Sequence, residues 1–383
     1  MKKYYYIIMI LIVLLAALTG VLIMKYGLGK NINVYEDVVR EDMREMKISG
    51  TTYYVSPSGD DLKDGLSEKT PFVTIQKAVD LLMPGDGLVL MDGKYEQDFV
   101  TVRNGTEEKE IFITGSKKAI VHGSGKKARI IEINHDSVIL SGFTVDGLAG
   151  DAKERKNYRD KLIYIEGKEA SSGVEGVAVI NMHLKNAGGE CLRIKYFSQK
   201  NEIARNRITG CGAYDFIFDG GGKNGEGVYI GTAPEQVKED KNITRDVDKS
   251  DYNWVHDNFI DTQGNECVDI KEGSSFNKIE NNVCTGQKDK DSAGLDSRGN
   301  NNIFRSNEVF GCVGAGIRLG GDKESDGINN DVIENNLHRN NAGGIKIQSK
   351  PQGKICGNII SSNKKGDLVG EYGEDMKNEK KCD

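Results

Sequence analysis

The chain has 383 residues, with 47 glycines, 5 prolines and a net charge of −6. That length allows one large solenoid or two ordinary domains, and the glycine excess favours frequent tight turns over proline-rich linkers. The first 30 residues hold four lysines and no acid, so the remainder carries a net charge of −10; this excludes a general nucleic-acid binder and repels a polyanion unless a basic patch or a bound cation reverses the field locally.

Tyr4–Met24 is an almost unbroken apolar run of 21 residues behind Lys2 and Lys3. At about 1.5 Å per residue it is just long enough to cross a bilayer core. It reads as an uncleaved signal anchor. A cleaved signal peptide is the alternative, with Ala16-Ala17-Leu18-Thr19-Gly20 as its exit. Either reading puts the rest of the chain outside the cytosol, with residues 1–30 as the targeting segment and 31–50 as a charged stem. Thr51–Val55 is a first strand. The polar loop Ser56–Pro71, with Asp60, Asp61 and Asp64, is an Asp/Gly turn or a calcium loop. Phe72–Met83 sets Ile75, Ala78, Val79 and Leu82 on one face, which predicts a helix capping a solenoid end.

From Gly87 onward the pattern is short strands and turns, broken by insertions at 146–160 and 233–252. Loops that bulge from a solenoid build its binding groove. Asn253–Ile260, Asn277–Cys284, Asn302–Val309 and Asp331–His338 repeat one another. Each is a strand with an inward aliphatic and an Asn at the bend: Asn258, Asn282, Asn307 and Asn336, at steps of 24, 25 and 29. Asn181 and Asn206 extend the series upstream, and Asn358 extends it downstream. A period in the twenties with strand-type residues is a solenoid coil. The Leu-rich consensus of leucine-rich repeats is absent. Asn and Gly at the bends fit turns with left-handed backbone and side chains bonded from coil to coil. The expected architecture is all-β: a single right-handed parallel β-helix over residues 51–363, followed by a charged tail at 364–383.

The seven cysteines show no zinc-type spacing. Cys267, Cys284, Cys312 and Cys356 lie in or beside repeat strands as stacked interior residues, and an oxidising compartment allows one or two unassigned disulfides among the seven. Asn104 and Asn242 begin glycosylation sequons.

Tyr53–Asp60, Pro71–Ala78, Pro84–Asp86 and Gly93–Tyr95 look like the entry coils of secreted β-helix polysaccharide lyases. Residues 224–318 resemble polysaccharide lyase family six, the alginate lyases and chondroitinase B. That family reads Asn-Gly-Gly-Glu, Glu-x-x-x-x-Lys-Ser, Leu-x-x-Arg-His-Gly-Asn and Gly-Gly-Ile-Arg. This chain reads Asn224-Gly225-Glu226-Gly227, Glu266 through Lys271, Leu295 through Arg298-Gly299-Asn300, and Gly314 through Arg318. The departures are a first motif shifted by one, Gly264 where the family has a second Glu, and no His after Arg298. The resemblance implies an anionic polysaccharide as partner and Lys271 as the base. It implies Arg298 on the acid side, Glu266 and Asn224 as calcium ligands, and Arg318, Glu226 and Asp269 as substrate-binding residues.

Cleavage of a uronate by β-elimination removes the weakly acidic proton α to its carboxylate. That carboxylate must be neutralised, and a base must sit within about 3 Å of the proton. A lysine serves if its pKa falls from about 10.4 toward neutrality. Asp269 shares a strand face with Lys271, whereas Glu272 points the other way. An Asp269–Lys271 pair keeps Lys271 protonated unless Asp269 binds a metal. Arginine titrates too high to donate a proton easily, so Arg298 reads as a stabiliser of the oxyanion and leaving oxygen. The plainer readings are an ion-paired coil lysine and an arginine bonded to turn carbonyls. Asp215 and Asp219 line the groove or decorate a loop. His256 and His338 read as turn residues, and Tyr252 and Trp254 as a sugar platform or partly buried aromatics. Two other functions stand beside the lyase. One is a polygalacturonase-like hydrolase using Asp269, Glu266 and Asp296; the other is a non-catalytic surface glycan-binding or adhesion protein.

Overall fold

The structure is a computed structural model and describes residues 47–382. The expected membrane segment and most of the stem fall outside the described residues. No helix among the described residues is long and apolar enough to cross a membrane.

A strand of two to six residues buries too little apolar surface to stand alone. Here such strands stack in parallel into three sheets of 11, 10 and 10 strands. The chain visits the first, second and third sheet in turn and then begins the next coil, which makes a parallel β-helix. Alternation sets the sides. In the third sheet Val228, Val268, Leu295, Ile317 and Ile345 pair in register and are buried in one continuous core. Burying such a side chain contributes roughly 1.5–3 kcal/mol. The intervening residues point out of the solenoid.

The helix expected over Phe72–Met83 is present as Ile75–Leu81, with Ile75, Ala78 and Val79 buried in the core of the first coils. The loop before it resolves as Asp-centred turns. Asp61 accepts from the main-chain N–H groups of Val73 and Thr74, and Asp64 accepts from that of Leu66. Beyond Lys364 the solenoid continues rather than ending in a free tail. Leu368–Val369 adds a strand, Asn378 bonds to Asn358, and Cys382 is joined to Cys356.

The turns carry the register. Asn206, Asn258, Asn282, Asn307, Asn335 and Asn358 form one ladder between the first and second sheets. In each rung the Oδ1 accepts from the main-chain N–H and the side-chain amide of the rung before. At Asn282 these bonds are 3.1 and 2.9 Å long. Its own Nδ2 donates to the carbonyl of Val255 at 2.9 Å. A second ladder of Asn201, Asn253, Asn277 and Asn302 runs between the third and first sheets. The residue before each rung is left-handed, as at Arg205, Asp257, Asn281, Ser306 and Glu334. A non-glycine residue there costs roughly 1–2 kcal/mol, which the bonds of the rung offset.

Three expectations are corrected. The fourth bend residue is Asn335, not Asn336, which begins the strand Asn336–His338. A rung always stands one residue before its strand, and the doubled Asn hid this. Upstream, the rung position before the strand is taken by Met182, whose N–H donates to Asn206, and Asn181 is the left-handed residue before it. His256 and His338 are strand ends rather than turn residues.

Three disulfides join Cys191–Cys211, Cys267–Cys284 and Cys356–Cys382, and Cys312 is free and buried. Disulfides persist in oxidising, extracytoplasmic compartments. They exceed the one or two expected: Cys191, Cys211 and Cys382, which lie outside the repeat segments, all pair.

Asn282→Ala strips acceptors from two buried donors of Asn258, whereas Asn336→Ala removes a side chain from the strand beside the ladder. Denaturant unfolding is expected to show a loss of about 2–4 kcal/mol for the first and under about 1 kcal/mol for the second. Equal losses would contradict the rung assignment.

Candidate active site

The strict register of the third sheet turns its outward positions into one row: Glu132, Tyr164, Arg193, Tyr229, Asp269, Asp296, Arg318 and Lys346. These residues flank inward aliphatics, so local alternation projects them and coil stacking aligns them. The row is buried in its middle. Asp269 and Asp296 are fully buried, the first against Lys271 and the second against Arg318.

A second layer lies where the strands of this sheet begin. The main-chain N–H of Cys191 donates to the carbonyl of Glu226, and that of Gly227 to the carbonyl of Glu266. Glu190, Glu226 and Glu266 are therefore stacked on successive coils, all buried. Carboxylate oxygens of Glu226, Glu266 and Asp269 lie within 4.8 Å of one another. Burial, then Glu190 and Asp269, push the Glu226 carboxyl up to about 7. Burial, then Asp269, Glu226 and Asp296, push Glu266 well above its ordinary value. Glu190 goes the other way, to about 2: burial would raise it, but Lys161 and Arg193 outweigh that. Lys161 pairs with Glu190, and Arg193 reaches it at 2.9 Å.

Lys271 follows Asp269 on the same face. Its Nζ is 2.6 Å from Asp269 Oδ2 and 4.9 Å from the Tyr229 ring centroid. Burial alone would lower its pKa. Asp269 and Tyr229 outweigh burial and hold it well above the ordinary value, with Arg298 opposing them. The ammonium is a cation in this arrangement. Arg298 stands on the next coil, held at 3.4 Å by Glu272 and at 3.2 Å by Asp322. Arg318 reaches Asp296 at 2.7 Å.

The structure thus brings together Lys271, Arg298, Arg318, Glu226, Glu266 and Asp269. Asn224 is exposed, and its main-chain N–H and side-chain amide both donate to Asp215 at 2.7 and 3.1 Å. Asp215 supports the chain there.

A calcium ion needs several oxygen ligands at about 2.3–2.6 Å. The Glu226, Glu266 and Asp269 set fits that chemistry. All its donors are oxygens, and Glu266 Oε2 and Asp269 Oδ1 are buried without a hydrogen-bond partner. A cation there would satisfy both atoms and relieve the crowding of negative charge.

The sequence reading missed Glu190, Arg193, Tyr229 and Lys195. Lys195 lies on the same face, 3.3 Å from Glu166, and donates to the carbonyl of Lys241 at 2.8 Å. Burial and Arg193 lower it to about 8. The alternation of Leu192-Arg193-Ile194-Lys195 held the signal for these two basic residues. Nothing local marked Glu190.

No protein-family model matches the chain. A Bacillus subtilis (strain 168) chain, described only as the uncharacterized protein YwoF, is 24% identical over 349 residues, covering 78% of this chain and 70% of that one. Among solved structures, an alginate lyase from Paenibacillus sp. str. FPU-7 superposes with a TM-score of 0.60 at 17% identity, covering 76% of this chain and 93% of the lyase. Pectate lyase Pel9A superposes with a TM-score of 0.59 at 14% identity, covering 84% and 80%. At these identities the likeness is one of fold: this chain has the parallel β-helix seen in polysaccharide lyases.

Glu226 gives the site a pH signature. Its folded-state pKa is raised, so its contribution to stability is complete below about pH 4.5 and lost as pH rises through about 7. In chelator, thermal unfolding should therefore show falling stability across that window. Glu226→Gln is expected to flatten the decline and to be the more stable protein at pH 8, by on the order of 1–3 kcal/mol. Added calcium should restore wild type but not the variant. A wild-type profile unchanged across the window would remove this charge cluster from the account.

Proposed function

We propose that this chain is a polysaccharide lyase that cleaves a uronate-containing glycan by β-elimination. One observation carries the reading: a buried trio of carboxylates abuts a lysine and two arginines on the outer face of one sheet. Each of these basic groups is paired with a carboxylate, so the positive charge needed to hold a polyanion arises once a bound cation offsets the acids. The β-helix fold shared with alginate and pectate lyases supports the reading, as fold analogy only.

Arg318 and Arg298, on consecutive coils, hold the substrate carboxylate and the leaving oxygen. Lys271 takes the proton α to the carboxylate, the carbon–carbon double bond forms as the C–O bond to the leaving sugar breaks, and the leaving oxygen, stabilised by Arg298, takes a proton from water. Calcium held by Glu226, Glu266 and Asp269 would supply a fixed positive charge beside that carboxylate and draw the Asp269 charge away from Lys271, so that the amine can lose its proton. Tyr229 and the inner aliphatics exclude water beneath the amine. The glycan is the partner that the site selects, and residues 4–24 are a membrane tether for it.

The carboxylates themselves favour a second reading. A protonated Glu226 or Glu266 beside Asp269 is the pairing that a glycoside hydrolase uses for acid catalysis. Products decide between the two, because lyase products carry a new carbon–carbon double bond and absorb in the ultraviolet, whereas hydrolase products show only new reducing ends.

The test is ultraviolet absorbance with alginate, pectate, chondroitin and heparan, each with calcium and with chelator. A rise on one of them is expected, together with a fall of at least about 100-fold in Lys271→Ala and in Arg298→Ala. Cleavage that survives Lys271→Ala but is lost in Lys195→Ala would move the base to Lys195. Reducing ends without absorbance would favour the hydrolase. Neither signal on any glycan would leave a binding or adhesion protein.

A further inference from the structure

Three exposed aromatics gather on one corner of the solenoid. Tyr252, Trp254 and Phe276 are 53%, 41% and 45% exposed. Tyr252 and Phe276 each precede a rung of the second ladder and are left-handed, with φ of 59° and 60°. Asn301 and Asn329 fill the equivalent position on the next two coils. Asparagine tolerates that backbone, whereas a bulky aromatic there is an outlier. The two rings lie 5.1 Å apart and 10° from parallel. The ladder sets that backbone at every rung, so the signal is the choice of two adjacent, exposed, stacked aromatic side chains for it, which points to a surface role.

Trp254 begins the strand Trp254–His256 on the outer face of the first sheet. Its indole lies over the His256 ring, with centroids 3.7 Å apart and planes 23° from parallel. Its Nε1–H donates to Glu280 Oε2 at 2.9 Å. The His256 imidazole is itself clamped between Asp257 at 2.7 Å and Glu202 at 3.1 Å. One face of the indole is covered and its polar edge is tied, yet much of the ring remains open to solvent. A flat ring that cannot turn is a stacking surface that needs no ordering when a ligand arrives. The charges around it nearly balance: Glu202 and Asp257 are engaged by His256, Glu280 is 3.2 Å from Arg305, and Lys278 lies in register beside Trp254. A uronate carboxylate finds no net field to hold it there, whereas the C–H face of an uncharged pyranose suits the bare ring.

We infer that Trp254, with Tyr252 and Phe276 beside it, is a binding subsite for a neutral pyranose residue. It is separate from the acidic row of the third sheet. The inference rests on the reading that this chain handles a polysaccharide, and it narrows the substrate to a heteroglycan bearing neutral sugars in its backbone or branches. Phe276 lies on the turn that starts at Lys271, so a glycan seated at the third sheet needs to pass only that turn to reach the corner.

The chain holds one tryptophan, so its fluorescence reports this ring alone. The full-length protein is titrated with oligosaccharides of galactose, mannose and glucose, and separately with oligogalacturonate. A saturable change with one neutral series is expected. Its affinity should fall by about tenfold or more in Phe276→Asn, in Tyr252→Asn and, by calorimetry, in Trp254→Ala, with Trp254→Phe losing less. Asparagine suits both turn positions, so the first two variants keep the fold. Silence with all three neutral series, a response to oligogalacturonate only, or unchanged binding in Trp254→Ala would each overturn the inference. Cleavage is read separately. A lyase with a silent Trp254 fails this inference alone, and neutral-sugar binding without any cleavage fails the lyase reading alone.

Discussion

Every turn of a parallel coil leaves main-chain N–H and C=O groups facing inward, where neither strand pairing nor water reaches them. The asparagine ladders answer that constraint. A rung accepts two bonds from the coil before it and donates to the coil after it, so no rung is satisfied unless its neighbours are in place. Unmade bonds at such buried sites are costly, which makes the ladder a register device as much as a source of stability. The left-handed residue before each rung belongs to the same unit, because it turns the chain so that the amide faces inward.

Once register is fixed, side chains at equivalent positions must stack in rows, whatever their charge. On inward positions this gives the aliphatic core. On the outer face of the third sheet it gives Tyr229, Asp269, Asp296 and Arg318 on consecutive coils, with Glu226 and Glu266 at the strand starts. Repulsion within that row is not relieved by moving a side chain, because the backbone holds each one to its coil. It is relieved by protons, by Lys271 and Arg318, or by a bound cation. The charge state of Lys271 therefore depends on what Asp269 holds.

The same stacking has a different result at the corner between the third and first sheets. Positions that elsewhere hold Asn or Lys hold Tyr252 and Phe276, and the next outward position holds Trp254. The acidic row and the aromatic corner are two chemical surfaces joined by one turn. A polymer has the length to use both.

The parallel coil was legible in the sequence because its causes are local. Aliphatic alternation, a period in the twenties and Asn at the bends of Asn258, Asn282 and Asn307 each reflect what a residue needs from its own strand and turn. The pairing of Asp269 with Lys271 was legible for the same reason, since alternation alone sets two residues of one strand on one face. Where the pattern was doubled, as at Asn335 and Asn336, one residue of ambiguity displaced the rung. The membership of the carboxylate cluster could not be read locally. Glu226 and Glu266 are 40 residues apart and meet because the insertion at 233–252 leaves the core and returns in register. Motif likeness put Asn224 with Glu266, and Cys191 gave no sign of its bond to Cys211. The sequence by itself determined which residues face in and which face out. Only the tertiary structure decided which of the outward residues share one buried space, because the number of residues between coils, unlike alternation within a strand, has no fixed value.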